Sequence, residues 1–447
     1  MNVAGVAAEL RAAARRTDHR RLLVLAGDRD TGIDAAFDAV AGADASEDDV
    51  AIVTTREGFR FERVAPERAD RLLGTTREVV VCDAHEGFSP NVLGRLEGAV
   101  GGGGLFVLLT PPLAAWPDRR DSFAESLAVP PFGVADVSGR FRARLVDTLR
   151  SHPGVAVVDV DAGTVESRGE ADASPSGPAG PARSPPTTPP ASTRRFPAAA
   201  YEACLTADQS RTVHALEALS TGASRPAAVV VEADRGRGKS SAAGLAAGSL
   251  AAAGRDVLVT APERRNAAEL FDRAAELLTA VDGLDRRDGG VIATDAGGRV
   301  RFREPAAAAD LPGDPDAVVV DEAAALPVGR LSSFLDADAV AFCTTVHGYE
   351  GAGRGFSVRF ADRLADAAHD VTRVSLSEPI RHAPGDPVET WAFRALLLDA
   401  RPPVDPLVAD ASPSSAVYRA PAAADLAADD HRLREVFGLL VAAHYRT

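Results

Sequence analysis

The run AAVVVEADRGRGKS, Ala227 to Ser240, decides how this chain is read. Its first half is continuous enough to be a strand buried on both faces. Its second half places glycines at 236 and 238 and then a Lys-Ser pair, the pattern of a tight strand-to-helix turn whose backbone N–H groups cradle phosphates. The pattern departs from GxxxxGKS only at Ala233, which is small enough to keep the turn tight. Lys239 is the single lysine in a chain whose Lys and Arg total 49. Arginine has replaced lysine everywhere except where a compact ammonium on a flexible stem has to reach a phosphate.

A second element fits the first. AVVVDEAAALP (Ala317 to Pro327) is an apolar strand ending in two acids. In a phosphate-loop site Asp321 joins Ser240 in holding magnesium, Glu322 polarises the attacking water, and Lys239 neutralises the phosphates. Upstream, Gln209 in LTADQS is either an amide that reads an adenine edge or an exposed glutamine at a helix start. Downstream, TTVHGYEGAGRGFSVRF (Thr344 to Phe360) ends a strand in hydroxyls and opens a glycine-rich loop carrying His347, Glu350 and Arg354. Arg381 in LSEPIRH follows a strand-like run, as a cis arginine finger or sensor does. Each of these arginines has a surface role as its alternative.

With 447 residues, 46% of them apolar, the chain can bury more than one core. A formal charge of −15 points to a salt-rich cytoplasm, in which an acidic surface keeps proteins dispersed. Codon bias toward arginine, alanine and glycine is the competing account, and leaves the surplus acid unexplained. Acidity does not exclude RNA, because molar salt removes most of the counterion-release term. Cys82, Cys204 and Cys343 lack the spacing of a zinc site or a disulfide framework. No apolar stretch approaches the roughly 20 residues that span a bilayer, and MNVAGVAAELRAAARR reads as an amphipathic helix without a signal core. A cytoplasmic protein with no membrane partner is expected.

Apolar runs at 21–27, 50–55, 78–84 and 105–110 alternate with helical segments, which predicts a first α/β domain over 1–160. Its GDRDTG turn (Gly27 to Gly32) has no lysine and is more simply geometry than a phosphate site. Residues 161–200 collapse to Pro, Ser, Gly, Ala and Thr, the composition of a disordered tether. Over 201–410 strands at 227–233, 255–261, 317–323 and 339–345 predict a RecA-like P-loop ATPase lobe. The fold class is therefore α/β: two parallel-sheet, three-layer domains joined by a disordered Pro/Ser/Gly-rich tether. One lobe alone does not close nucleotide between two, so processive unwinding is not expected. Residues 411–447 open a further region, and the helix predicted over 429–447 reaches the chain end without a stop signal.

On LTADQ, EADRGRGKS, VVVDEAAALP, TTVHGYEGAGRGF, LSEPIR, GDPVETW, LREVFGLLVAAHYRT and, in the first domain, LFVLLTPPLAAWP and VPPFG, the chain resembles the tRNA(Met) cytidine acetyltransferase family. The resemblance implies an N-terminal α/β domain, a RecD-like helicase module, a GNAT acetyltransferase domain and a tRNA-binding region. Together these use acetyl-CoA and ATP to form N(4)-acetylcytidine at the wobble position of elongator tRNA(Met). It implies nucleotide contacts at Gln209, at Val231, Glu232, Ala233, Asp234, Arg235, Gly236, Arg237, Gly238, Lys239 and Ser240, and at Arg381. In the family AHYRT leads into the acetyltransferase domain, whose CoA-binding [QR]xxGx[GA] turn is not found here. The expectation is a piece of a longer protein, a truncated gene, or a separate chain that supplies acetyl transfer. Two other readings stand beside it: a nucleotide-dependent RNA-binding protein without catalysis, and a fragment of a superfamily one helicase.

Overall fold

Apolar runs become strands covered on both faces, and they sort into two separate sheets. The computed structural model describes residues 2–72, 74–169, 183–220, 225–345, 360–400 and 409–443. The chain forms two units, one built from 1–182 with 381–444 and the other from 183–380.

In the first unit the strands are β1 (Arg21–Ala26), β2 (Val50–Val53), β3 (Glu62–Val64), β4 (Arg77–Asp83), β5 (Val100–Thr110), β6 (Val155–Asp159) and β7 (Thr164–Arg168). They lie in the order β3-β2-β4-β5-β1-β6-β7, parallel except for the antiparallel β6–β7 pair. Alternate residues point to opposite faces. Leu23, Leu25, Val79, Val81 and Val107 meet Val6, Leu10 and Ala39 of the helices Val3–Thr17 and Arg29–Gly42. Leu22, Val24, Val80, Phe106 and Leu108 meet Leu93, Leu145, Leu149 and Trp391 on the other side.

Trp391 corrects the expected boundaries. The sequence assigns residues 381–410 to the second domain, yet the helix Pro387–Leu396 contributes Val388, Trp391, Ala392 and Ala395 to the first unit's core. A buried ion pair locks it there. Arg20 donates from Nε and Nη2 to Asp386 Oδ1 over 3.1 and 2.9 Å, and from Nη1 to Glu97 over 2.9 Å. Asp386 also caps its own helix by accepting from the Glu389 N–H at 2.8 Å. Near the chain end, Asp430 pairs with Arg144 and Arg394, and Arg434 with Asp399, again within the first unit.

The second unit holds β8 (Ala227–Ala233), β9 (Asp256–Thr260), β10 (Leu284–Asp288), β11 (Val291–Thr294), β12 (Arg299–Phe302), β13 (Ala317–Val320), β14 (Ala339–Thr345) and β15 (Asp370–Leu376). The order is β10-β11-β12-β9-β13-β14-β8-β15. The four expected strands form the parallel centre, with β15 added beside β8. The edge of β10, β11 and β12 is an antiparallel meander missed in the sequence. Its signal was present in Gly289–Gly290, both at positive φ, a hairpin turn between two short runs.

The expected tether is narrower than 161–200. Residues 164–168 pair with β6, and 170–182 lie outside the described residues. On the far side Phe196 is buried, and Glu217 Oε1 accepts from the N–H groups of Arg195 and Phe196 at 2.7 and 2.9 Å. Backbone groups that find such partners make a proline-rich segment part of the fold. Among the described residues no helix is long and apolar enough to cross a membrane.

The Arg20–Asp386 pair sets a measurable stability. Asp386→Ala takes from the buried Arg20 guanidinium the carboxylate that holds two of its nitrogens, leaving Glu97 on the third, and costs about 3 kcal/mol. The loss is read from a denaturation midpoint by the fluorescence of Trp116 and Trp391, both in the first unit's core. Burial alone raises the Asp386 carboxyl, but the charges of Arg20 and His382 and the bonds from Arg20 hold it down to about 2, below the ordinary 3.8. A depressed carboxylate contributes its stability above the ordinary value and loses it as pH falls through the folded one. The stability gap between the parent and Asp386→Asn therefore closes as pH falls from 3.8 to about 2.

Candidate functional site

The phosphate loop forms as its sequence dictates: β8 ends at Ala233 and the helix Lys239–Ala252 begins directly after the turn. Gly238, with φ +86°, leads into the helix in the left-handed conformation, and a Cβ added there would fall 2.1 Å from Gln209 Nε2. Gln209 is 1% exposed. Its Oε1 accepts from the Leu205 N–H at 2.7 Å and its Nε2 donates to the Gly238 carbonyl at 3.4 Å. Of the two readings of this glutamine, the exposed one is excluded. Ile380, just before Arg381, donates its N–H to the Gly236 carbonyl at 2.9 Å.

Lys239 is buried and faces both expected acids. Its Nζ lies 2.8 Å from Glu322 Oε1 and 3.6 Å from Asp321 Oδ1. Burial disfavours an ammonium, but the two carboxylates outweigh it and hold Lys239 charged, above the ordinary lysine value. The acids differ. Burial at the sheet edge pushes the Asp321 carboxyl up against the Lys239 charge. For Glu322 the charge and hydrogen bond of Lys239, with a further bond from Thr345, outweigh burial and bring the carboxyl below its usual range. Ser240, in the first turn of that helix, lies close enough to Asp321 for its hydroxyl to favour the ionised carboxylate.

This donor set suits a magnesium–triphosphate. Asp321 is 0% exposed, and its Oδ2 has no hydrogen-bond partner among the described residues. A hard carboxylate oxygen left over beside a lysine and a serine hydroxyl matches what magnesium accepts. Among the described residues no cluster of three His, Cys, Asp or Glu forms a separate metal site.

Arg381 is held by backbone carbonyls. It counts with the first unit, where its guanidinium donates to the carbonyls of Gly98, Gly74 and Thr75 at 3.0, 3.2 and 3.4 Å. Three carbonyls match the planar fork, and these bonds hold the guanidinium within the first unit. His347, Glu350 and Arg354 lie outside the described residues. The first domain's GDRDTG turn is filled by its own acids: Asp161 accepts from the Asp28 N–H at 2.9 Å, and Asp28 caps the helix through the Asp30 N–H at 2.9 Å.

Two residues went unnoticed in the sequence. Asp208, beside Gln209, accepts at Oδ2 from the Ser377 N–H and hydroxyl and from the Glu378 N–H, at 2.8 to 3.1 Å. It ties the loop after β15 to the helix that carries Gln209. Thr345 donates from Oγ1 to Glu322 Oε2 at 3.0 Å. Its signal was the pair of hydroxyls closing β14. The pairing itself depends on β14 lying between β13 and β8, an order that no local pattern encodes.

Residues 1–160 match the family described as tRNA(Met) cytidine acetyltransferase TmcA, N-terminal, and residues 230–399 match RNA cytidine acetyltransferase NAT10/TcmA, helicase domain. The tRNA(Met) cytidine acetyltransferase TmcA of Haloferax volcanii is 65% identical over 450 residues, covering 100% of this chain and 58% of that protein. That of Haloarcula marismortui is 58% identical over 446 residues, covering 99% and 56%, and that of Nitrosococcus halophilus 37% over 453, covering 100% and 57%. The chain thus spans somewhat more than half the length of these curated relatives. Among solved structures, a large terminase from a thermophilic bacteriophage aligns over 36% of this chain and 44% of its own, at 13% identity and a TM-score of 0.28.

The loop geometry sets one outcome independent of ancestry. Gly238→Ala forces a Cβ into the Gln209 amide at a left-handed φ and destabilises the second unit by about 1 kcal/mol or more. Equilibrium denaturation followed by far-UV circular dichroism, compared with a Gly297→Ala control at positive φ in open space, separates the clash from the backbone cost.

Proposed function

Because this chain belongs to the tRNA(Met) cytidine acetyltransferase family, spanning its N-terminal and helicase portions, we propose that its second unit binds ATP with magnesium and hydrolyses it in support of tRNA acetylation. The observation that carries the reading is a buried ammonium, on the only lysine of the chain, set against two strand-end acids of which one keeps an oxygen with no hydrogen-bond partner among the described residues.

The chain's own groups divide the work. The loop amides and Lys239 bind and orient the triphosphate, and Gln209 braces the loop at Gly238 and supplies an amide for the base. Asp321 and Ser240 hold the magnesium, which when bound neutralises phosphate charge. Glu322 takes a proton from the attacking water as its oxygen bonds to the γ-phosphorus and the bond to the β-phosphate oxygen breaks, leaving ADP and phosphate. With Lys239 drawn to the phosphates, Glu322 loses the cation that lowers its carboxyl and becomes a better base.

In the family reading the substrate is elongator tRNA(Met), modified at its wobble cytidine, with acetyl-CoA as donor at a domain outside these residues. No residue of this chain is assigned to acetyl transfer, and a separate acetyltransferase chain is a further partner the reading admits. The relatives carry that name for proteins nearly twice this length, and that likeness supports the assignment here.

In magnesium and salt, steady-state phosphate release is expected from the parent chain. Lys239→Ala abolishes both binding and turnover of ATP. Glu322→Gln keeps ATP binding and lowers turnover by about 100-fold or more, and EDTA removes it. Stimulation by tRNA above that by single-stranded DNA favours the acetyltransferase reading over a helicase fragment. Tight ATP binding with no turnover favours a nucleotide-gated RNA-binding protein.

A further inference from the structure

β14 ends at Thr345, which sits in register with Ala233 where the phosphate loop begins. From there its Oγ1 donates to Glu322 Oε2 at 3.0 Å, while Lys239 Nζ holds the other oxygen, Oε1, at 2.8 Å. Glu322 itself has a left-handed backbone, φ 49° and ψ 44°. A glutamate in that region is strained and persists only where its surroundings impose it. Here the Glu322 N–H donates to Asp321 Oδ1 at 3.0 Å and the carboxylate is gripped at both oxygens.

A base that acts on water has to present one oxygen in one direction, and the last torsion of a glutamate is broad and roughly two-fold. A single attachment on the neighbouring strand removes that freedom. Of Lys239 and Thr345, which donate to this carboxylate, Lys239 is the one drawn away by a phosphate. Thr345 is the one that stays, because its hydroxyl belongs to a strand of the sheet.

We propose that Thr345 is the positioning residue for Glu322: its hydroxyl holds Oε2 so that Oε1 faces the attacking water once Lys239 has turned to the phosphates. Thr345 then sets the rate of the chemical step and leaves nucleotide affinity alone. The inference rests on the ATPase reading given above.

The test uses the whole chain and three variants, Thr345→Val, Thr345→Ser and Glu322→Gln, with kcat and KM from phosphate release and Kd from a fluorescent ATP analogue. Valine keeps the shape and removes the donor. It is expected to lower kcat by about 10- to 100-fold, in line with a misplaced catalytic group, with KM and Kd within about twofold of the parent. Serine, which restores the hydroxyl, is expected to recover at least half of the parental kcat. Three outcomes overturn the proposal alone while Glu322→Gln is inactive: Thr345→Val turning over at the parental rate, Thr345→Val losing ATP affinity in step with kcat, or Thr345→Ser failing to recover. Glu322→Gln as active as the parent, or a parent without turnover, overturns the ATPase reading and the proposal with it.

Discussion

A buried ammonium facing two carboxylates is the constraint around which the second unit is arranged. Lys239, Asp321 and Glu322 come from a helix start and from the end of a neighbouring strand system, and each alone is a costly thing to bury. Together they are tolerable, and the balance is incomplete: Asp321 keeps one oxygen without a hydrogen-bond partner among the described residues. A cluster balanced only partly by its own charges is poised to accept a cation together with an anion that competes for the lysine. The rest of the unit serves that geometry. β13 and β14 bring Asp321, Glu322 and Thr345 to one edge, and β8 delivers the glycine turn beside them.

Much of this was legible in the residues. Continuous apolar runs at 227–233, 255–261, 317–320 and 339–345 have no reading except strands covered on both faces, and the Lys-Ser pair after two glycines has few readings besides a phosphate loop. What escaped was set by tertiary partners. The stretch 381–396 carries no mark that assigns it to the first unit. Its place depends on Trp391 fitting between helices and on Asp386 meeting Arg20, 366 positions earlier. Proline-rich composition likewise overstated the tether, since Glu217 supplies the acceptors that 195 and 196 needed. Arg381 shows the same limit: its position after a strand gives no sign of the three backbone carbonyls to which its guanidinium donates.

The surplus of acid has a counterpart in how the buried acids are paired. A chain with a net charge of −15 could have met them with flexible lysines. It uses arginine forks instead, as at Arg20 with Asp386 and Glu97, Arg29 with Asp83, and Arg142 with Asp121. A planar fork fixes direction as well as charge. Lysine survives only at 239, where a compact ammonium faces two carboxylates at once.

The first unit is discontinuous, interrupted between 182 and 381 by the second. Its core contains Val388 and Trp391, so no ribosome can release a finished first unit until the intervening 183–380 has already emerged. Domains fold as they are synthesised, and usually from the N-terminus onward. In this chain that order is inverted: the unit that is encoded in the middle is the earlier to be complete, and the amino-terminal sheet waits, with part of one face uncovered, for the helix that closes it.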